Sequence, residues 1–329
     1  MAHDLRPTRR LLLQGAAALG ASAFSGRARA AGYPDHPVRI VVPFAPGGPS
    51  DITARLMSVK LAEALGQTFF VENRAGAGSN LGTTAVARSA PDGYTLLITS
   101  SAFVVNPGLY KQVPYDPFKD FAPVAALDTS PNVFLATPQS GITSIAELIA
   151  RAKDKPDELS YASPGTGTTP QLAAELLKIA AGIRVTHIPY PGAGPAVQSI
   201  LAGTVPVACA ALPGAHPSIM AGKLRALAVT GPTRWFDMPD VPTMVELGYK
   251  DFVVDTFHML LAPAGTPNDI VARLAKAAID CLTQPEFHDR LRSLGFETIA
   301  QGPEPLRQRI GEEVPRYRDI IEKAGIEKV

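Results

Sequence analysis

Three glycine-rich stretches carry the residue types best suited to chemistry. They are Phe44-Ala45-Pro46-Gly47-Gly48-Pro49-Ser50-Asp51, Asn73-Arg74-Ala75-Gly76-Ala77-Gly78-Ser79-Asn80 and Ser163-Pro164-Gly165-Thr166-Gly167-Thr168-Thr169. Each follows an apolar strand-like run and precedes a helical pattern. A helix N-terminus leaves backbone N–H groups unpaired and carries a partial positive charge. Glycine lets the backbone come close to a bound group. The chemistry implied is capture of an anion by backbone dipoles rather than by formal charge. The hydroxyls of Ser163, Thr166, Thr168 and Thr169 would add donors without adding charge. A single loop of this kind reads more simply as a tight strand-to-helix turn. Three of them, spread over two halves of one chain, favour ligand binding.

Other chemistries find no matching spacing. In Gly76-Ala77-Gly78-Ser79-Asn80-Leu81-Gly82 the third glycine falls one place late for a dinucleotide fingerprint, and Gly165-Thr166-Gly167 lacks it. No Gly-Lys-Ser/Thr ending marks a nucleotide phosphate loop, and Gly-x-Ser-x-Gly is absent. Ser50 beside Asp51 is explained more simply as a helix cap than as a nucleophile. Beyond residue 30 the histidines are His36, His187, His216, His258 and His288, none in a His-x-x-x-His or His-Glu-x-x-His pattern. The expectation is therefore no metal, no cofactor and no catalytic residue. His187 falls on a strand-like run and reads as structural. His258, after Phe257 near a chain crossing, is the lone histidine best placed to donate to an anion. Trp235 and the Arg316-Tyr317-Arg318 run read as packing and as a solvated helix face.

The elements that must position these loops alternate. Val38–Val42 is a strand ended by Pro43, and the helix after the first loop would bury Ile52, Leu56, Val59 and Ala62 on one face. Strands at Phe69–Val71 and Thr95–Thr99 flank the second loop and its helix. A second run begins near Asn132: strand Val133–Ala136, a helix capped by Ser144, strand Leu159–Ala162, a helix from Pro170 to Ala181, and strand Val185–Ile188. A turn at Pro191-Gly192-Ala193-Gly194, a helix opened by Pro195 and a strand Leu224–Val229 follow, and the chain ends in helices. Strand–loop–helix–strand order predicts an α/β fold with parallel sheet and helices on its faces.

The start of the chain reads as an export signal. Arg6, Arg9 and Arg10 precede an apolar run from Leu11 to Phe24, which breaks at Ser25-Gly26-Arg27-Ala28-Arg29-Ala30. The run is shorter than the roughly 20 residues a membrane span needs, and an Ala-x-Ala end suits cleavage after Ala30. Thr8-Arg9-Arg10-Leu11-Leu12-Leu13 resembles a twin-arginine signal in part, so that route and the ordinary secretory route stay open. Removing residues 1–30 takes the net charge from +1 to −3, because five arginines leave with Asp4. That excludes the basic field a nucleic-acid or anionic-membrane partner would need. The remaining roughly 300 residues suit two domains. Cys209 and Cys281, each in an apolar context, read as buried free thiols; pairing in an oxidising compartment is the alternative.

Several landmarks in order resemble one family. Val42-Pro43-Phe44-Ala45-Pro46-Gly47-Gly48 with Asp51, Asn73-Arg74-Ala75-Gly76-Ala77-Gly78, Pro91-Asp92-Gly93-Tyr94-Thr95-Leu96-Leu97 and Tyr161-Ala162-Ser163 with Gly165, Gly167 and Thr168 are similar to the tripartite tricarboxylate transporter receptors, also known as Bordetella uptake gene proteins. Ala221–Thr230 and Leu261-Ala262-Pro263-Ala264-Gly265-Thr266-Pro267 complete the set. The resemblance implies a two-domain periplasmic binding protein of type II, a Venus flytrap with a hinge and an interdomain cleft. Residues 31–131 plus 255–329 would form one domain and 132–254 the other. It implies a monomeric receptor that holds a small carboxylate and delivers it to transporter membrane subunits. By position it implies ligand contacts at Phe44, Ala45, Gly47, Gly48, Asp51, Ser163, Gly167, Thr168, Thr169, Tyr190 and Ala193, to which the residue reading adds His258.

Departures from the family pattern bear on the ligand. Ala210 stands where some relatives carry an acidic residue able to meet an ammonium group, Phe257 where Trp is common, and Pro164, Pro170 and Gln171 where other side chains are usual. The expectation is a carboxylate with no ammonium group and some apolar or aromatic body, or a dicarboxylate. A ligand sensor and an exported enzyme acting on a small carboxylate are the alternatives, the second without an acid, base and nucleophile set.

Overall fold

The computed structural model describes residues 32–250 and 252–329; the export signal read at Met1–Ala30 lies outside the described residues. The chain runs through β1 (Val38–Val42), α1 (Pro49–Leu65), β2 (Phe69–Asn73), α2 (Asn80–Ala87), β3 (Thr95–Ser100), α3 (Ala102–Leu109) and β4 (Phe121–Ala136). It continues through α4 (Ile145–Asp154), β5 (Ser160–Ser163), α5 (Thr169–Ala181), β6 (Thr186–Pro189), α6 (Ala193–Leu201), β7 (Val207–Ala211), α7 (Leu212–Met220) and β8 (Arg225–Val229). The last elements are β9 (Asp255–Pro263), α8 (Asn268–Leu282), α9 (Pro285–Ser293), β10 (Glu297–Gln301) and α10 (Pro303–Lys323).

β1 pairs in parallel with β2 and β3, and β5 pairs in parallel with β6 and β7. These are the two α/β halves expected from the alternating pattern. They are joined by two antiparallel strands. β4 pairs with β9 over Phe121–Pro131, then with β7 and β8 over Asn132–Ala136. The path through the whole sheet is β2-β1-β3-β9-β4-β7-β5-β6. Only the last four residues of β4 were readable as a strand. Pro123 and Pro131 interrupt its apolar run, and the ladder with β9 shifts register beside Pro123, where the missing N–H would leave a gap in it. The C-terminal part is mostly helical, as expected, with β10 as an added strand between α9 and α10.

Alternation along β4 divides the interior. Phe134 and Ala136 join a large core that includes Leu97, Phe103, Phe257 and Leu306, whereas Val133 and Leu135 face a second core around Ala196, Ile200, Ala208 and Leu212. In the first core Phe103 stacks on Tyr115 at 5.3 Å and meets the edge of Phe121 at 5.1 Å. α1 buries Ala54, Met57 and Leu61, not the expected face; Val59 is exposed. Its buried stripe also takes Thr53, whose hydroxyl finds a buried carboxylate, so polarity misled the periodicity. The Ser144 cap is as expected: its Oγ accepts from the Glu147 N–H at 3.1 Å. Cys209 and Cys281 are both buried free thiols. Among the described residues no helix is long and apolar enough to cross a membrane, and no three metal-ligating side chains cluster.

Candidate ligand-binding site

The helices of the two halves begin at one place. α1 starts after Gly48, α5 after Thr168, α6 after Gly192 and α7 after Ala211, and no side chain caps any of these four N-termini. Their first residues wall a cavity of about 360 Å³, lined by Gly48, Pro49 and Ser50, by Thr168, Thr169 and Pro170, and by Ala193 and Ala211. Phe44, Ser100, Pro164, Thr256 and His258 complete the wall. Among the described residues no lysine or arginine lines it, and the imidazole of His258 is its one ionisable side chain. Proline near the start of α1, α5 and α7 fits positions whose N–H would have no helical partner. Converging uncapped N-termini give a region of positive potential suited to an anion.

The first loop is held from behind. The buried Asp51 carboxylate accepts from Gly47 N–H at 3.0 Å, Arg55 Nε at 3.0 Å and Asn73 Nδ2 at 2.9 Å. Burial alone would raise its pKa, but the hydrogen bonds from Arg55, Gly47 and Asn73 outweigh it and hold the carboxyl below its ordinary value. Asn73 also donates to the Phe44 carbonyl at 3.1 Å, so the second loop anchors the first. Asp51 is thus occupied by the loop itself. The N-cap of α1 is Gly48, not Ser50 or Asp51.

The loop after β5 is braced in the same way. Ser163 Oγ accepts from Gly165 N–H at 3.1 Å and shares a 2.6 Å hydrogen bond with His187 Nε2. His187 stacks on Tyr161, and burial lowers its pKa to about 4, so the ring is neutral at pH 7. Thr168 donates its hydroxyl proton to the Gly165 carbonyl at 2.7 Å. Thr256 donates to Asn132 Oδ1 at 2.7 Å, and Thr169 lies 2.6 Å from Thr256. Thr256 has one proton, so Thr169 must be the donor to it. The hydroxyl protons of Thr168 and Thr169 are therefore spent inside the protein, contrary to their expected service as spare donors.

The cavity lies between loops of both halves. Ala45 N–H donates to the Pro191 carbonyl at 3.0 Å, and Tyr110 Oη donates to the Thr166 carbonyl at 3.2 Å. A second space of about 580 Å³ lies among Pro43, Phe44, Gly76–Ser79, Tyr110, Pro164–Thr166 and Pro189–Pro191. Phe44 and Pro164 line both spaces.

Of the residues singled out from sequence, Phe44, Gly48, Thr168, Thr169, Ala193 and His258 line the cavity together. Tyr190 lines the second space instead. Ala45, Gly47, Asp51, Ser163 and Gly167 line neither and shape the loops. Ala210 packs in the second core, and its neighbour Ala211 faces the cavity. Sequence reading missed Pro49, Ser50, Ser100, Ala211 and Thr256 as lining residues. Thr256 was within reach: it sits two places before His258, on the same face of a strand. Asp128, the partner of His258, was also missed.

His258 is fully buried, and its Nδ1 lies 2.6 Å from Asp128 Oδ1. The other oxygen of Asp128, itself fully buried, accepts from Thr53 Oγ1 at 2.8 Å. His258 Nε2 has no hydrogen-bond partner among the described residues.

Residues 53–326 match the family described as tripartite tricarboxylate transporter family receptor. The structure of periplasmic binding protein BugD superposes with a TM-score of 0.87 at 38% identity, covering 90% of this chain and 100% of that one. An R. palustris protein solved with adipate gives 0.87 at 33% identity, covering 90% and 100%. MatC from Rhodopseudomonas palustris with bound malate gives 0.84 at 35% identity, covering 88% and 100%. The fold is accordingly the α/β fold of these periplasmic binding proteins.

Proposed function

The chain belongs to the tripartite tricarboxylate transporter receptor family, and from that premise we propose that it is a periplasmic solute-binding receptor. It captures a small carboxylate in the cleft and delivers it to the membrane subunits of a tripartite tricarboxylate transporter. The single observation that carries the ligand class is the cavity walled by four uncapped helix N-termini with no lysine or arginine. Such a site stabilises a carboxylate through fixed dipoles. Among the described residues no carboxylate side chain on the wall offers a charge partner to an ammonium group, which disfavours amino acids. The similar proteins solved with adipate and with malate support a carboxylate without an ammonium group.

In this reading residues 31–131 plus 255–329 and residues 132–254 are the two domains, and β4 and β9 are the crossings that bend. Phe44, Gly48, Thr168, Thr169, Ala193 and His258 face the ligand, with Tyr190 against its outer part. Ala45, Gly47, Asp51, Ser163 and Gly167 hold the loops in place. Residues 1–30 are the cleaved export signal, by the secretory or the twin-arginine route.

The test is a thermal-shift and calorimetric screen of purified protein against benzoate, malate, adipate, citrate, aspartate and glutamate, with recovery of each compound by NMR. A receptor raises its Tm with one or more of the first four and returns the compound unchanged. Turnover would point to an enzyme. Tight binding of aspartate or glutamate alone would overturn the ammonium-free class.

A further inference from the structure

His258 is placed to do more than fill a wall, and the inference drawn from it rests on the carboxylate reading above. The Asp128 carboxylate can only accept, so the proton between the pair sits on Nδ1 of His258. His258 lines the cavity, and its Nε2 is buried and without a hydrogen-bond partner among the described residues. A neutral ring then presents a lone pair there, which repels a carboxylate; an imidazolium presents an N–H, which binds one.

The surroundings oppose each other. Asp128, on β4, favours the cation. Burial and the four positive helix ends disfavour it. The neighbours packed on the other sides are uncharged: Thr53 on α1, Ser100 paired with His258 from β3, Thr169 on α5, and the edge-on ring of Phe296 at 5.9 Å. Asp255, on the same strand, has the odd offset that turns it to the opposite sheet face, where Arg309 and Arg316 act on it. A carboxylate entering the cavity would put a second anion on the free side of the ring and tip this balance.

We propose that His258 takes up one proton at Nε2 as a carboxylate binds, so that capture is coupled to protonation and this N–H reads the carboxylate. The proton comes from solvent and returns to it on release; no bond other than N–H forms. Asp128 acts as the positioning residue that fixes the tautomer.

The experiment is isothermal titration of the tightest binder among benzoate, malate, adipate and citrate, in phosphate and in Tris, from pH 6 to 8.5. The difference in heat between buffers counts protons taken up. We expect close to one proton per ligand at pH 8 and an affinity that falls about tenfold per pH unit in the upper range. His258→Gln should bind at least tenfold more weakly at pH 6.5, with no proton uptake and a flat pH profile. Asp128→Asn should lower the uptake: its oxygen can still accept from Nδ1–H of His258, while its NH2 can only donate to Thr53 Oγ1, reversing that hydrogen bond. Binding without proton uptake above pH 7.5 overturns the proposal and leaves the carboxylate reading intact. Uptake that persists in His258→Gln also overturns it, and the wild-type count stands by itself if that variant does not fold. No binding of any of the four acids overturns both.

Discussion

The hydroxyl of Thr169, at the start of α5, donates to the hydroxyl of Thr256 on β9 at 2.6 Å, and Thr256 passes its own proton to Asn132 Oδ1 on β4. The amide of Asn132 in turn donates to the Val254 carbonyl at 2.6 Å. One polar chain thus ties the binding loop of the second half to both crossing strands.

The order of this chain sets the cost of breaking it. Thr169→Val removes one neutral hydrogen bond at the end of the chain, at a cost of about 1 kcal/mol. Thr256→Val strands the Asn132 oxygen as well and should cost about 2–3 kcal/mol. Urea unfolding of both variants checks the ranking; equal losses would mean that the chain does not act as drawn.

Contact between the halves depends on backbone approach at glycine. Gly78 has φ +58°, and a Cβ there would lie 2.1 Å from the Thr166 carbonyl oxygen across the cleft. Gly78→Ala should hold the halves apart, raise the radius of gyration in small-angle scattering, and weaken carboxylate binding roughly tenfold or more, since a clash of a few kcal/mol in the present arrangement of the loops enters the binding equilibrium. An unchanged radius with unchanged affinity would show that the present arrangement is not the binding one.

His187 carries an acid limb of the stability curve. Burial lowers its pKa to about 4, against about 6.5 unfolded. The unfolded state binds the proton first as pH falls, so the stability is complete above about pH 6.5 and is lost as pH drops through 4. The loss should reach about 2–3 kcal/mol, and His187→Gln should flatten it. Chemical unfolding at pH steps from 4 to 7 reads it out.

Asp255 has the opposite sign. Burial raises its pKa to about 6 despite Arg309 and Arg316, and its Oδ1 has no hydrogen-bond partner among the described residues. The folded state holds this proton longer than the unfolded one. Stability is therefore greatest below about pH 4 and declines as pH rises to about 6, after which it stays reduced. Asp255→Asn should remove that decline and raise stability at pH 7 by about 1–2 kcal/mol. A variant less stable than wild type at pH 7 would show instead that the charge serves the pairing with α10.

Much of this protein was legible before folding because the signals are local. A glycine-rich loop with proline at the next helix start announces an open N-terminus within a few residues, and the first and third loops did end at the cavity. The Ser144 cap and the parallel units of each half have the same local origin. Other features depend on residues far apart in the chain. Asp51 carries the same side chain whether it meets a ligand or braces a loop; Gly47, Arg55 and Asn73 decide, and Asn73 arrives through β2. The 16-residue β4 was hidden because Pro123 and Pro131 interrupt its apolar run; β9, distant in the chain, pairs with it across a register shift beside Pro123 and on to Pro131.

Local sequence was enough for the α/β halves, the loops that hold helix ends open, and the lack of cationic side chains in the first and third of those loops. Only the tertiary structure decided which of those loops share one cavity, that the hydroxyl protons of Thr168 and Thr169 are already spent, and that His258 meets Asp128 across 130 positions of chain. The reason is physical: helix and strand starts are governed by neighbours a few residues away, whereas the partner of a buried polar group is set by strand register, which brings β9 beside both β3 and β4.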